Sequence, residues 1–141
     1  MDVAGTHAAI ELPEGSWWDW DVVTWDGGEL RLAADSDLTY HHGLELRFGE
    51  PLFVSCPSAF QDPIFRAPSF DEVLKVTRQL GCEPTVVVAF EAEAEAGGQE
   101  TVSCLIAAAR LDIVQEVVLR YWRHDAGPGQ RFAPWVTPPA Q

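Results

Sequence analysis

The alternation of apolar and polar side chains predicts β-strands along most of the chain. Residues 29–33 alternate strictly after an Asp-Gly-Gly sequence typical of hairpin turns, so they are predicted to pair with residues 22–25. Leu44, Leu46 and Phe48 share one face of another alternating run, which a Gly-Glu-Pro turn joins to the next strand in a second predicted hairpin. The predicted strands are residues 22–25, 29–33, 43–48, 52–56, 85–96, 101–113 and 114–123.

One main helix is predicted at about residues 69–80. Ser69 is a favourable N-cap residue, and Asp71 and Glu72 follow it at the positive end of the helix dipole. Apolar side chains recur every three or four positions, and Gly81 provides the end of the helix.

Two segments leave alternatives open. Residues 114–123 match both a strand and a helical stripe, and their alternation and valine content favour the strand. Residues 57–68 contain three prolines, which favours an ordered loop that lies over apolar side chains.

Together these elements predict an α+β fold that is predominantly antiparallel β. The hairpins form a curved sheet or a partly open sandwich, with the helix against one face. A chain of 141 residues suffices for one domain, assigned to residues 1–125, and residues 126–141 form a Pro/Gly-rich C-terminal tail. No apolar run could span a membrane and no secretory signal is visible, so the predicted location is the cytoplasm.

The net charge of -13 is concentrated in two segments. Residues 1–37 contain nine acids and one base, and residues 83–100 contain five acids and no base. Acids and bases balance in the rest of the chain. An acidic surface disfavours binding to nucleic acid, whose phosphates need basic side chains, and favours a basic protein partner.

Tryptophan and carboxylate side chains between residues 16 and 25 are the first candidates for a partner-binding surface. Four of the six tryptophans fall in this segment, where Trp17, Asp19 and Asp21 share one face of an extended chain. Tryptophan offers a large contact area and binds cations on its ring, which suits a partner rich in Lys and Arg. The alternative interpretation is that these tryptophans close the core.

An acidic stripe completes the candidate partner-binding set. Glu91, Glu93 and Glu95 occupy one face of the predicted strand at 85–96. Such a stripe attracts a basic partner, and the alternative is a solvated face whose charges keep an edge strand from pairing.

A metal site is a weaker candidate. Asp35, Asp37, His41 and His42 lie within eight residues, together with Tyr40. The two aspartates have the i,i+2 spacing of strand ligands, whereas adjacent histidines on a strand point to opposite faces. The alternative is a polar turn that leads into a strand.

No motif for a nucleophile, a phosphate loop or a dinucleotide is present, so the sequence predicts no cofactor and favours a non-enzymatic protein. The leading hypothesis is a small acidic interaction protein of bacterial type that binds a basic protein, as immunity and adaptor proteins do. The alternative is a ligand- or metal-binding β-domain with hydrolase or isomerase activity around His41 and His42. A homodimer formed through an exposed strand is a third hypothesis.

Overall fold

A computed structural model describes residues 7–95 and 100–139 of the chain. These residues form seven strands and one helix, and every strand pair is antiparallel except the pair that includes the last strand. The elements are β1 (Asp19–Trp25), β2 (Glu29–Asp35), β3 (His41–Ser55), β4 (Ala59–Arg66), α1 (Phe70–Leu80), β5 (Val86–Ala94), β6 (Val102–Leu119) and β7 (Gln130–Phe132).

Six of the strands close into an antiparallel β-barrel. They pair in the order β3-β2-β1-β4-β5-β6, and β3 pairs again with β6 to complete the circuit. The short β7 adds in parallel to the end of β6. The predicted curved sheet or partly open sandwich is therefore wrong, although the antiparallel β character and the helix are confirmed.

The barrel closes because residues 43–48 and 52–56 belong to one long strand rather than to a hairpin. The predicted turn between them is a bend inside β3, where Glu50 adopts a φ of 51° and its N–H donates to Gly28 O at 2.9 Å. The first half of β3 pairs with β2, and the whole strand pairs with β6, from His41 opposite Leu119 to Ser55 opposite Leu105.

Residues 57–68 contain a strand where a loop was predicted. β4 accommodates Pro63 because its pairing with β5 shifts register between Gln61 and Ile64, and Asp62 takes a φ of 49° there. A bulge leaves residues out of the hydrogen-bonded ladder, so the missing N–H of proline is tolerated.

The two strands predicted at 101–113 and 114–123 are one strand, β6, that ends at Leu119. The favoured strand interpretation holds to that residue. The strand predicted at 85–96 corresponds to β5, and its last predicted residue lies outside the described residues.

The predicted helix is present, with both of its predicted ends. Ser69 Oγ accepts from the N–H of Glu72, the carboxylate of Glu72 accepts from the N–H of Ser69, and Gly81 ends α1 with a φ of 81°. Val73 and Val76 pack in a small cluster with Val87 and Ala107, apart from the barrel core. In the described ranges, no helix has the length and hydropathy that a membrane span requires.

The barrel interior holds the main core. On β1, β2 and β5 alternate residues point inward. A cluster of aromatic side chains from β1, β4 and β5 fills the centre of the barrel. Trp20 stacks on Phe60 with ring centroids 5.8 Å apart, and Phe60 contacts Phe90 at 5.2 Å. Of the tryptophans near β1, Trp20 thus closes the core, whereas Trp18 and Trp25 are exposed.

We expect Phe60→Ala to lower the free energy of unfolding by about 3–5 kcal/mol, because it leaves a cavity at the centre of the aromatic group. Ile64→Ala on the same strand is the matched control, since the Ile64 side chain is 70% exposed. Urea unfolding measures both changes. Equal losses for the two variants would contradict the assignment of the core.

Candidate functional site

The barrel brings the two predicted acidic segments together. β4 lies between β1 and β5, so carboxylates that are more than seventy residues apart in sequence share cross-strand rows. The first row also continues onto β2, because Asp19 lies directly opposite Asp35. The two rows are Asp35–Asp19–Gln61–Glu93 and Asp21–Ala59–Glu95.

Two of the predicted partner-binding residues are neutralised by arginine. Asp21 accepts two hydrogen bonds from the guanidinium of Arg120, both at 2.8 Å. Glu91 accepts from Arg66 Nε at 2.9 Å. These two carboxylates form ion pairs within the molecule. The predicted partner-binding residues therefore offer less negative charge to a partner than the sequence indicates.

The other acids of these rows have no such counterion. All lysines and arginines of the chain are among the described residues. None of them lies within ion-pair distance of four of these carboxylates, which we call the acidic face. Glu93 and Glu95 are exposed, and Asp19 accepts only from the N–H of Leu38, at 3.3 Å. The acidic face consists of Asp19, Asp35, Glu93 and Glu95.

The arginines are used within the molecule. Only Arg78 and Lys75, both on α1, lack an acidic partner within the described residues. The unpaired charge of the surface is therefore overwhelmingly negative. The arginines in ion pairs are Arg31, Arg47, Arg66, Arg110, Arg120, Arg123 and Arg131.

The four candidate metal ligands do not converge. His41 Nε2 lies 3.5 Å from Asp35 Oδ2, whereas His42 is fully buried and bonded elsewhere. Asp37 accepts from the hydroxyl and the N–H of Thr39, and these hydrogen bonds hold its pKa below the usual range. Within residues 7–95 and 100–139 no group of three His, Cys, Asp or Glu side chains could hold a metal ion.

Tyr40, the remaining residue of that segment, is exposed and contacts the edge of the Tyr121 ring. The two histidines point to different environments, as the alternation of a strand predicts. Of the two histidines, His41 thus lies at the surface and His42 in the interior.

His42 is part of a buried ionic network that the sequence analysis missed. Its Nε2 lies 2.7 Å from Glu45 Oε2, and Arg120 Nε donates to its Nδ1 at 3.0 Å. A guanidinium N–H only donates, so Nδ1 is the acceptor and the ring proton resides on Nε2. Both ring nitrogens are engaged, and the arrangement offers neither of them to a substrate.

Glu45 is the centre of this network. Arg47 Nε donates to it at 2.8 Å, and Arg131 Nη2 lies 2.7 Å from its other oxygen. Burial alone would raise the pKa of Glu45, but the hydrogen bonds from His42, Arg131 and Arg47 outweigh it and hold the pKa well below its usual range.

The network fastens the end of the chain to the barrel. Arg120 follows β6 and binds Asp21 of β1, while Arg131 of β7 binds both Glu45 and Glu116. Sequence alternation placed Glu45 on a polar face of its strand, yet nothing local indicates that Arg131 of β7 binds it. The missed residues are Glu45, Arg47, Arg120 and Arg131.

An open cleft lies at the end of the barrel where β2 ends and β3 begins. Its volume is about 390 Å³, and the predicted residues Trp17, Asp35 and His41 all contribute to its wall. Trp17 was predicted to share a surface with Asp19 and Asp21. It lies instead in the cleft, beside two of the candidate metal ligands, Asp35 and His41. The complete lining is Ser16, Trp17, Asp35, Ser36, His41, Gly43, Gln115, Glu116 and Val117.

Comparison with protein-family models, with curated proteins and with solved structures finds no match to this chain. A functional assignment therefore depends on the charge and geometry of these sites.

We expect Glu45→Gln to lower the free energy of unfolding by about 3–5 kcal/mol, because it removes the charge of a buried carboxylate that binds the partly buried Arg47 and Arg131. Glu50→Gln is the control: Glu50 pairs with Arg110 at 3.1 Å on the surface, where such a pair contributes at most about 1 kcal/mol. Chemical denaturation compares the two. A loss for Glu45→Gln no greater than for the control would show that the network is not stabilising.

The depressed carboxyl pKa values predict a loss of stability in acid. Hydrogen bonds from Arg66 lower the pKa of Glu72 to about 2, and the pKa of Glu45 also falls. A glutamate titrates near pH 4.3 in the unfolded chain, so this stability is complete above about pH 4.3 and declines as the pH falls towards the folded values. We expect Glu72→Gln to flatten the decline in unfolding experiments from about pH 5 to pH 2.5. An unchanged slope would contradict this origin.

Proposed function

We propose that this chain is a non-enzymatic interaction protein that binds a basic protein through its acidic face. The observation that carries the proposal is the row formed by Asp35, Asp19 and Glu93 on three different strands, with no arginine or lysine paired to any of them. An immunity or adaptor role is one form of such a function.

The distribution of ion pairs supports this proposal. A chain of net charge -13 with nearly all of its arginines paired internally projects a negative potential. This potential accelerates encounter with a basic protein and is screened by salt beyond about 8 Å at physiological ionic strength. The expected binding is therefore fast and sensitive to salt.

Exposed apolar side chains beside the acidic face add contact area. Trp18 is 42% exposed and its carbonyl accepts from the N–H of Asp62, while Ile64 is 70% exposed and lies opposite Glu91. Interfaces obtain most of their affinity from a few large side chains surrounded by polar residues. Trp18 and Ile64 suit that role.

Ligand binding around His41 is the second candidate function. The observation that favours it is the cleft, which His41, Asp35 and Trp17 line together. Enzymatic activity at the histidines has less support, since His42 is fully buried with both ring nitrogens bonded.

The test compares capture of partners from native lysate by the wild type and by Glu93→Gln/Glu95→Gln. The matched control is Glu11→Gln/Glu14→Gln, which removes the same charge from exposed positions outside the acidic face. We expect one basic protein to bind the wild type and the control at low salt. Calorimetry with that purified protein should show at least about tenfold weaker binding to the first variant.

A partner that binds both variants equally, or that is insensitive to salt, would place the interface elsewhere. The absence of any specific partner at low salt would remove the proposal and leave ligand binding at the cleft as the better account.

A further inference from the structure

Asp35 has an incompletely bonded carboxylate that faces the cleft. Its Oδ1 accepts from the N–H of Ser36 at 2.7 Å and from the Ser36 hydroxyl at 3.4 Å. Its Oδ2 has His41 Nε2 as nearest basic atom, at 3.5 Å, and accepts no hydrogen bond from the residues that the structure describes. The side chain is 16% exposed and lines the open cleft, so Oδ2 can accept a hydrogen bond from a group that enters the cleft.

The space in front of Asp35 is kept open by Gly43. A Cβ atom at this position would stand 3.3 Å from the Trp17 ring and 3.4 Å from Asp35 Oδ2, so glycine lets the indole and the carboxylate approach the same point of β3. Trp17 is held there by its Nε1, which donates to Pro13 O at 2.8 Å. The cleft thus combines an aromatic wall with an acceptor that lacks a donor.

The charge of the lining selects a cation. No lysine or arginine lines the cleft, and the second carboxylate, Glu116, is already paired with Arg131. Asp35 therefore carries the carboxylate charge of the lining that no arginine or lysine neutralises, and it would repel an anionic ligand. A guanidinium or alkylammonium group would donate to Oδ2 in a charge-assisted hydrogen bond and contact the tryptophan.

We propose that this cleft binds an organic cation the size of an arginine or lysine side chain. Asp35 is also a member of the acidic face, directly opposite Asp19, so the cleft is continuous with that surface. This inference rests on the proposed function to the extent that the natural cation is a side chain of the basic partner. Binding of the isolated cation does not depend on that partner.

The test uses ethylguanidinium and butylammonium as probes of the ¹⁵N-labelled protein in NMR titrations. We expect saturable shifts of the Trp17 indole and Gly43 amide signals at millimolar probe, the affinity range of so small a ligand. Asp35→Asn should weaken binding at least about tenfold, since it removes the charge and keeps the shape. The matched control is Asp37→Asn, which lies outside the cleft lining and should change affinity by less than about twofold.

A second variant tests the proposal even if Asp35→Asn fails to fold. His41 is 48% exposed, so His41→Lys preserves the fold and places an ammonium group beside Asp35 Oδ2, where it should exclude both probes. The proposal is overturned if neither probe shifts these signals, if Asp35→Asn or His41→Lys binds as well as the wild type, or if propionate or glucose gives the same response.

The two proposals fail in different ways. Glu93→Gln/Glu95→Gln should lose affinity for the protein partner and keep its affinity for ethylguanidinium. Salt-sensitive capture of a basic protein without any response to the probes would remove the cleft inference and leave the acidic face intact. Probe binding without a protein partner would retain the cleft and remove the proposed function.

Discussion

The pairing of β3 with β6 is the constraint on which the rest of the structure depends. It joins the two ends of the strand order, so the apolar faces of six strands enclose a single core instead of leaving two unpaired edges. Because the ladder extends to His41 opposite Leu119, it also delivers the last part of the chain to the start of β3. Arg120 reaches His42 and Asp21 only because the barrel has closed.

Closure also decides which charges remain on the surface. The buried network uses arginines from distant parts of the chain to neutralise Asp21 and Glu45, while Asp19, two residues from Asp21, keeps its charge unpaired. The acidic face is thus a group of neighbouring carboxylates to which the fold supplies no arginine or lysine. Its position follows from β4, which carries no acid in either row but brings β1 and β5 to its two sides.

Local signals in the sequence were sufficient for the first hairpin and for α1, because a turn sequence, an N-cap and a terminal glycine act within a few residues. They were insufficient for the bend at Glu50, where the same Gly-Glu-Pro sequence serves a hairpin or a continuous strand equally well. Only pairing with β6, some sixty residues away, distinguishes the two. The network was invisible for the same reason, since Asp21 and Arg120 are 99 residues apart. The candidate acids themselves were evident from composition, and their adjacency was not.

The unpaired acids have an energetic consequence that connects fold and function. Asp19 and Asp35 are direct cross-strand neighbours on β1 and β2, and like charges in such positions destabilise a sheet. The repulsion persists in the free protein, because its arginines are bound to other acids. A cation beside this pair would reduce the repulsion. Any ligand that binds the folded state but not the unfolded state also raises the stability of the protein. Folding has thus left like charges side by side on β1 and β2, and a cation bound beside Asp19 and Asp35 would raise the stability of this pair of strands.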